Sequence, residues 1–297
     1  MSGTEVTNTG AGNLVLRADN TGTGQGTVVF DSGGHVDYTQ STGTVSIFYN
    51  PSGSQTTKYQ NPTNYFCPPC PGGGGVFVNV NQPSQLTAYM LVNTVSDLDA
   101  VRTNTAGTYA MGTKITFNPD QTFTPIPNFA GLFDSQGQTI ANLTIASTAQ
   151  NVGLFGTIGS TGVVRNVNLA NVTVSGLGSQ FVGVLAGTNA GTISNVSATG
   201  IMQVGSGSTA GGLVGQNLGT GTITGATVPA LAQTCMAGQT CASVAVNVGS
   251  NSLGGGLVGS NSGTISNAFA TGDVTGAVGT NGFTTLGGLA AVNLAGC

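Results

Sequence analysis

The chain has 297 residues, 39% of them apolar and 5% charged, with a net charge of −4 and a mean hydropathy of +0.20. Charge this far below the roughly 25% of ordinary soluble domains leaves the polar surface to Thr, Ser and Asn, and positive hydropathy argues against disorder, which pairs low hydropathy with high charge. The bases Arg17, Lys58, Arg102, Lys114 and Arg165 are scattered, which excludes a phosphate-neutralising patch and a nucleic-acid partner, and no apolar run reaches the about 18 residues of a membrane span.

In chain order, residues 1–8 lack the charged start and apolar core of a signal peptide. The chain is therefore expected to be cytosolic or an internal piece of a longer exported protein. Residues 1–50 alternate short strands with Gly-rich turns. Strands are predicted at Leu14 to Asp19, Thr27 to Phe30 and Thr44 to Tyr49. Residues 51–88 hold Pro and Gly clusters and read as a loop excursion. In residues 89–150 a short helix is predicted near 95–102. Val95, Leu98 and Val101 recur at three-residue spacing, with Ser96 or Asp97 as the cap. Strands are predicted at Tyr109 to Met111, Lys114 to Phe117 and three times between Phe129 and Ile145.

Residues 151–297 are repetitive. Gly255-Gly256-Leu257-Val258-Gly259 leads to Gly263-Thr264-Ile265-Ser266-Asn267, and four related copies have second residues at Gly153, Gly183, Gly212 and Gly288. By subtraction the five copies are 30, 29, 44 and 32 residues apart. A period near 30 marks a stacked repeat, each unit burying its apolar face on the next. Thr264-Ile265-Ser266 points one side chain in and two out. The Gly pairs are expected to supply positive φ or close backbone approach where the coil turns. Asn166, Asn195 and Asn267 share one repeat position and are expected to form a ladder of side-chain amides at that turn. Gly225 interrupts it, so the third coil is expected to turn differently. The 44-residue interval carries an insertion at about 226–250. The expected fold is all-β, a parallel β-solenoid with loop excursions and one short helix. Ten coils would give a rod of about 50 Å at about 4.8 Å per strand spacing.

Chemistry-bearing residues are sparse. Asp97 and Asp99 read as helix-start acids rather than a paired-carboxylate site, since positions i and i+2 of a helix face apart. Asp134 reads as a turn former, and His35, the only histidine, as a surface turn residue. Gly22, Gly24 and Gly26 precede no helix, which argues against a phosphate cradle. Cys67-Pro68-Pro69-Cys70 reads as a loop disulfide, with free thiols, or zinc shared with Cys235 and Cys241, as alternatives. Cys235 and Cys241 are expected to pair across the insertion in an oxidising compartment. Tyr49, Tyr59, Tyr65 and Phe66 form an aromatic cluster that either anchors the loop or offers a contact surface. No catalytic residue and no cofactor are expected.

The pattern Gly-Gly-Leu-Val-Gly, Gly-Thr-Ile-Ser-Asn and Ala-Thr-Gly at 255–272 resembles the GLUG repeat of bacterial surface proteins. The stretch from Tyr89 to Ile145 and residues 13–62 resemble filamentous-haemagglutinin-like exoproteins. That resemblance implies a right-handed parallel β-helix, exported by two-partner secretion through an outer-membrane partner that reads a domain absent from this sequence. It also implies an adhesin at the cell surface or outside the cell, attaching to glycans or proteins of host or neighbouring cells. The family motif carries no catalytic residues. Two other readings stand beside the adhesin: a repeat region of a larger secreted peptidase or effector, and a β-helical polysaccharide-active enzyme, for which convergent Asp, Arg and Lys residues are too few.

Overall fold

The computed structural model describes residues 5–30, 34–54, 56–66, 78–225, 239–279 and 283–294. Among these, every inter-strand pairing is parallel. One sheet of nine strands runs from Leu14–Arg17 to Thr264–Ser266. Alongside it lie a sheet of eight strands, two of five and one of three. Each repeat coil contributes one strand to four of these sheets, so the chain winds as a parallel β-solenoid.

The inward positions build the core. Val164, Ile193 and Ile223 are fully buried and stack rung on rung in the nine-stranded sheet, with Ile265 next in register. Leu257 and Val258 lie under the following corner, also fully buried. Nine strands span eight rung intervals, about 38 Å at about 4.8 Å each. The described residues thus hold nine rungs of this sheet against the ten coils expected.

Register corrects the repeat alignment by one residue. Gly183 pairs with Gly211, then Gly255 and Gly287, not with Gly212 and its equivalents. These corner glycines do not adopt positive φ. They serve close approach: a Cβ on Gly211 would lie 2.1 Å from the Val214 carbonyl oxygen, and one on Gly255 would lie inside the Val258 carbonyl.

The N-terminal half departs more from its sequence reading. Leu14–Arg17, Val45–Tyr49, Thr108–Met111 and Ile115–Thr116 are strands where strands are expected. Thr27 to Phe30 forms no strand. The Val28 carbonyl accepts instead from the Tyr65 hydroxyl at 2.9 Å, a partner no local pattern reveals. His35 lies on a strand, His35–Tyr38, not in a turn. That strand pairs with Glu5–Thr7 and Val78–Val80. The expected excursion 51–88 therefore holds one full strand, Val78–Val80, and the start of another, Leu86–Val92.

The helix spans Val95–Ala100. Its cap is Thr94, not Ser96 or Asp97. The Asp97 amide donates to Thr94 Oγ1 at 3.0 Å, and the Asp97 carboxylate accepts from the Asn93 and Thr94 amides at 3.1 and 3.2 Å, a reciprocal capping box. Asp97 also holds Lys58 at 2.6 Å, which ties the excursion to the helix.

Candidate functional site

The corner asparagines turn the coil. Asn166, Asn195 and Asn267 have φ of 57, 53 and 50°, the left-handed region that Asn tolerates better than most residues. Asn195 Nδ2 donates to Asn166 Oδ1 at 3.3 Å, and Asn166 Nδ2 donates to Asp134 Oδ1 at 3.0 Å. Gly225 has no side chain to continue the column towards Asn267 and does not adopt positive φ.

Asp134 is more than a turn former. It is 2% exposed. Oδ1 also accepts from the Gln136 amide at 2.9 Å, and Oδ2 accepts from Arg165 Nε at 2.7 Å. Arg165 reaches the Tyr89 hydroxyl at 3.0 Å. Tyr89 stacks on Phe48 at 4.7 Å, and Arg17 lies 4.6 Å from the Phe48 ring centroid. With Leu91 and Ala110 these rings form a small cluster apart from the main core. Both carboxylate oxygens of Asp134 are committed to structure.

A second asparagine column escapes the sequence reading. Asn189, Asn217, Asn261 and Asn293 follow the aligned corner glycines by six residues in four consecutive coils. Asn189 Nδ2 donates to Asn217 Oδ1 at 2.8 Å, Asn217 to Asn261 at 2.7 Å, and Asn261 to Asn293 at 2.8 Å. Asn189 and Asn217 are fully buried and Asn261 is 4% exposed. Unlike the corner set, this column is unbroken. Its signal was the constant six-residue offset, visible only once the glycines are aligned by register.

The Gly22, Gly24, Gly26 loop is a cradle already filled by its own chain. All three glycines have positive φ. Asp19 accepts from the Thr23 amide at 2.6 Å, the Thr23 hydroxyl at 2.8 Å and the Gly24 amide at 2.7 Å. Asn50 and Asn93 add Nδ2 donors at 3.0 and 3.3 Å. Burial opposes ionisation of Asp19, but the hydrogen bonds from Asn50, Thr23 and Gly24 outweigh it and hold the carboxyl at about 2.

The aromatic cluster is an anchor. Tyr49, Tyr59 and Tyr65 are at most 1% exposed and Phe66 packs at the core edge. The Tyr59 hydroxyl donates to the Leu91 carbonyl at 2.7 Å, and the Tyr49 hydroxyl accepts from the Thr63 amide at 2.9 Å. Burial raises the pKa of all three phenols, which keeps them neutral hydrogen-bonding groups rather than nucleophiles.

Among the described residues, surface grooves lie beside two non-repeating segments. One of about 410 Å³ lies between the Gly24 to Val29 loop and the Asn50 to Ser52 and Thr63 to Tyr65 segments. The other, about 470 Å³, lies between the helix and residues 116–124, lined by Ser96, Asp99, Asn118, Gln121 and Thr122 among others. Asp99 in it pairs with Arg102 at 2.5 Å. Among the described residues no group of three His, Cys, Asp or Glu could hold a metal. His35 Nε2 lies 3.1 Å from Glu5 Oε1. Cys241 is fully buried and disulfide-bonded. Cys67, Cys70 and Cys235 lie outside the described residues, so the pairings expected for them do too.

Parallel coils, in-register glycine corners and stacked amides define a repeat-built β-solenoid, and the GLUG motif matches it over residues 250–275. The chain is also similar to halomucin of Haloquadratum walsbyi (strain DSM 16790 / HBSQ001), with 40% identity over 141 residues, which is 42% of this chain and 2% of halomucin. The chain thus spans a small fraction of the length of that relative. No solved structure matches it. No helix among the described residues is long and apolar enough to cross a membrane.

Proposed function

We propose that this chain is a non-catalytic rod segment of a secreted or surface-exposed protein, and that its excursions attach the surface to glycans or proteins of neighbouring or host cells. The observation that carries this reading is the nine-strand continuous sheet bearing a GLUG motif. Nearly all ordered polar chemistry goes into holding coils together, leaving length and side-facing loops as the product. Similarity to a stretch amounting to 2% of halomucin supports a part played within a much longer chain. Export by two-partner secretion, with an outer-membrane partner, belongs to the same proposal.

Surface proteolysis of intact producing cells tests exposure. Antibody against the rod should detect a protein lost on protease treatment of unbroken cells. Protection until lysis would sink the reading. Binding of the purified chain to cells and to immobilised glycans then tests attachment, and loss of binding on shortening residues 51–66 would place it in the excursion.

A further inference from the structure

The sequence holds three Asn-x-Ser/Thr triplets with a non-proline centre: Asn142-Leu143-Thr144, Asn171-Val172-Thr173 and Asn195-Val196-Ser197. Such triplets are acceptors of N-linked sugar in exported proteins and need a surface position. The fold separates the three sharply.

Asn195 is spent on the solenoid. It is half-buried, its Nδ2 donates to Asn166, and the Ser197 hydroxyl is buried and donates to Asn168 Oδ1 at 2.8 Å. With Ser197 buried and its hydroxyl already bonded, a transferase cannot reach this triplet as it can an exposed one. Asn142 is also half-buried, with Oδ1 taken by Asn171. Asn171 is exposed, and so is its Thr173. It sits at a bulge, where the register of the strand Asn168–Gly176 shifts between Leu169 and Val172, and its φ of 55° turns the chain outward from regular pleat. Its Nδ2 donates to Asn142 Oδ1 at 2.9 Å. That uses one amide hydrogen and leaves the other, the one a sugar replaces. On the next rung Ile201 pairs with Thr173, two residues from Asn171, and is 52% exposed. This apolar side chain offers a surface to the C–H face of a sugar.

We propose that Asn171 is the attachment site of an N-linked glycan, a modification that rests on the export proposed above. In the transfer, the Asn171 amide nitrogen bonds to the anomeric carbon of a lipid-phosphate-linked oligosaccharide. The bond from that carbon to the phosphate oxygen breaks, the lipid phosphate leaves, and the displaced amide proton passes to a base on the transferase. No oxidant or reductant is needed. The remaining Nδ2 hydrogen keeps the bond to Asn142, so the contact between the two coils at the bulge is preserved.

The test drives the 297-residue chain into a glycosylating secretory pathway with a host leader and appends a reporter Asn-x-Thr triplet on a flexible tail. Molecules with an occupied reporter have met the transferase, and only these are mapped by peptide mass after enzymatic glycan release. The expected result is one further glycan, at Asn171. It should be lost in Asn171→Gln and in Thr173→Ala, and kept in Asn142→Gln and Asn195→Gln, with circular dichroism unchanged in Asn171→Gln. An unmodified Asn171 beside an occupied reporter overturns the proposal, as does a glycan mapped only to Asn142 or Asn195. Because the host leader supplies export, such a failure leaves the surface reading intact, and protease protection on intact cells would sink that reading alone.

Discussion

Asn217 offers the sharpest test of the buried amide column. It is fully buried, donates to Asn261 Oδ1 at 2.7 Å and to the Gly221 carbonyl at 3.2 Å, and accepts from Asn189 Nδ2 at 2.8 Å. In Asn217→Ala, Asn261 Oδ1 loses its donor and Asn189 Nδ2 keeps only the longer bond to Gly191, at 3.3 Å. An orphaned buried polar group costs about 1–3 kcal/mol, so two affected groups give a loss of about 2–5 kcal/mol. At about 2 °C per kcal/mol for a chain of this size, the melting midpoint should fall by about 4–10 °C. The control is Asn293→Ala, on the last rung and exposed, where the loss should stay under about 1 kcal/mol. Asn217→Asp adds a second signature. A carboxylate accepts from Asn189 but cannot donate to Asn261 or Gly221, so its deficit should widen as pH rises above the ordinary carboxylate range. Thermal unfolding followed by far-UV circular dichroism across a pH series, with hydrogen exchange at the flanking strands Val214–Asn217 and Val258–Asn261, reads both. A midpoint within about 1 °C of the parent for Asn217→Ala would refute the view that the column holds the coils in register.

Three further outcomes follow from named contacts. Gly255→Ala should cost about 3 kcal/mol or more, because the added Cβ would overlap the Val258 carbonyl; near-normal stability on thermal melting would mean the corner is looser than described. The Asp19 carboxyl, held at about 2, has a folded pKa below its unfolded one, so its stabilising effect is present above pH about 4 and lost as pH falls towards 2; an acid titration should lose that step in Asp19→Asn, and an unchanged titration would count against the cradle. Asp134→Ala should destabilise by about 1–3 kcal/mol, since it removes the acceptor of the part-buried Gln136 amide and Asn166 Nδ2 while the half-exposed Arg165 can turn to water, and the parent protein should release no sugar from pectin or other polysaccharides; release that Asp134→Ala abolishes would contradict the non-catalytic reading.

The repeat half was legible because its inward residues and corners recur. Ile193, Ile223 and Ile265 announce one inward position per strand, and Asn166, Asn195 and Asn267 announce the corner. The glycine alignment was one residue off because Gly-Gly pairs admit two registers. Only backbone pairing distinguishes Gly211 from Gly212, and that ambiguity hid the Asn189 to Asn293 column. In the N-terminal half, long-range side chains override local pattern. Tyr65 captures the Val28 carbonyl, and Asp19 gathers donors from Asn50 and Asn93, which are 31 and 74 residues away. The cap at Thr94 was missed because Asp97, a plausible cap by type, serves instead as the reciprocal partner at the third helical position. Asp134 looked like a turn residue because nothing in its neighbourhood signals the guanidinium of Arg165 one coil later.

The chain stacks one parallel, in-register rung per coil. Thr108, Leu132, Val163, Thr192, Thr222 and Thr264 occupy one column of the nine-stranded sheet. Spin labels at Thr108 and Thr264, five rungs apart, should show a backbone separation of about 24 Å, and labels at Val163 and Thr264, three rungs apart, about 14 Å. Distances measured by electron paramagnetic resonance that rise in proportion to the number of rungs would support the solenoid. Distances that do not scale with rung number, as in a sandwich with the same strands, would contradict it.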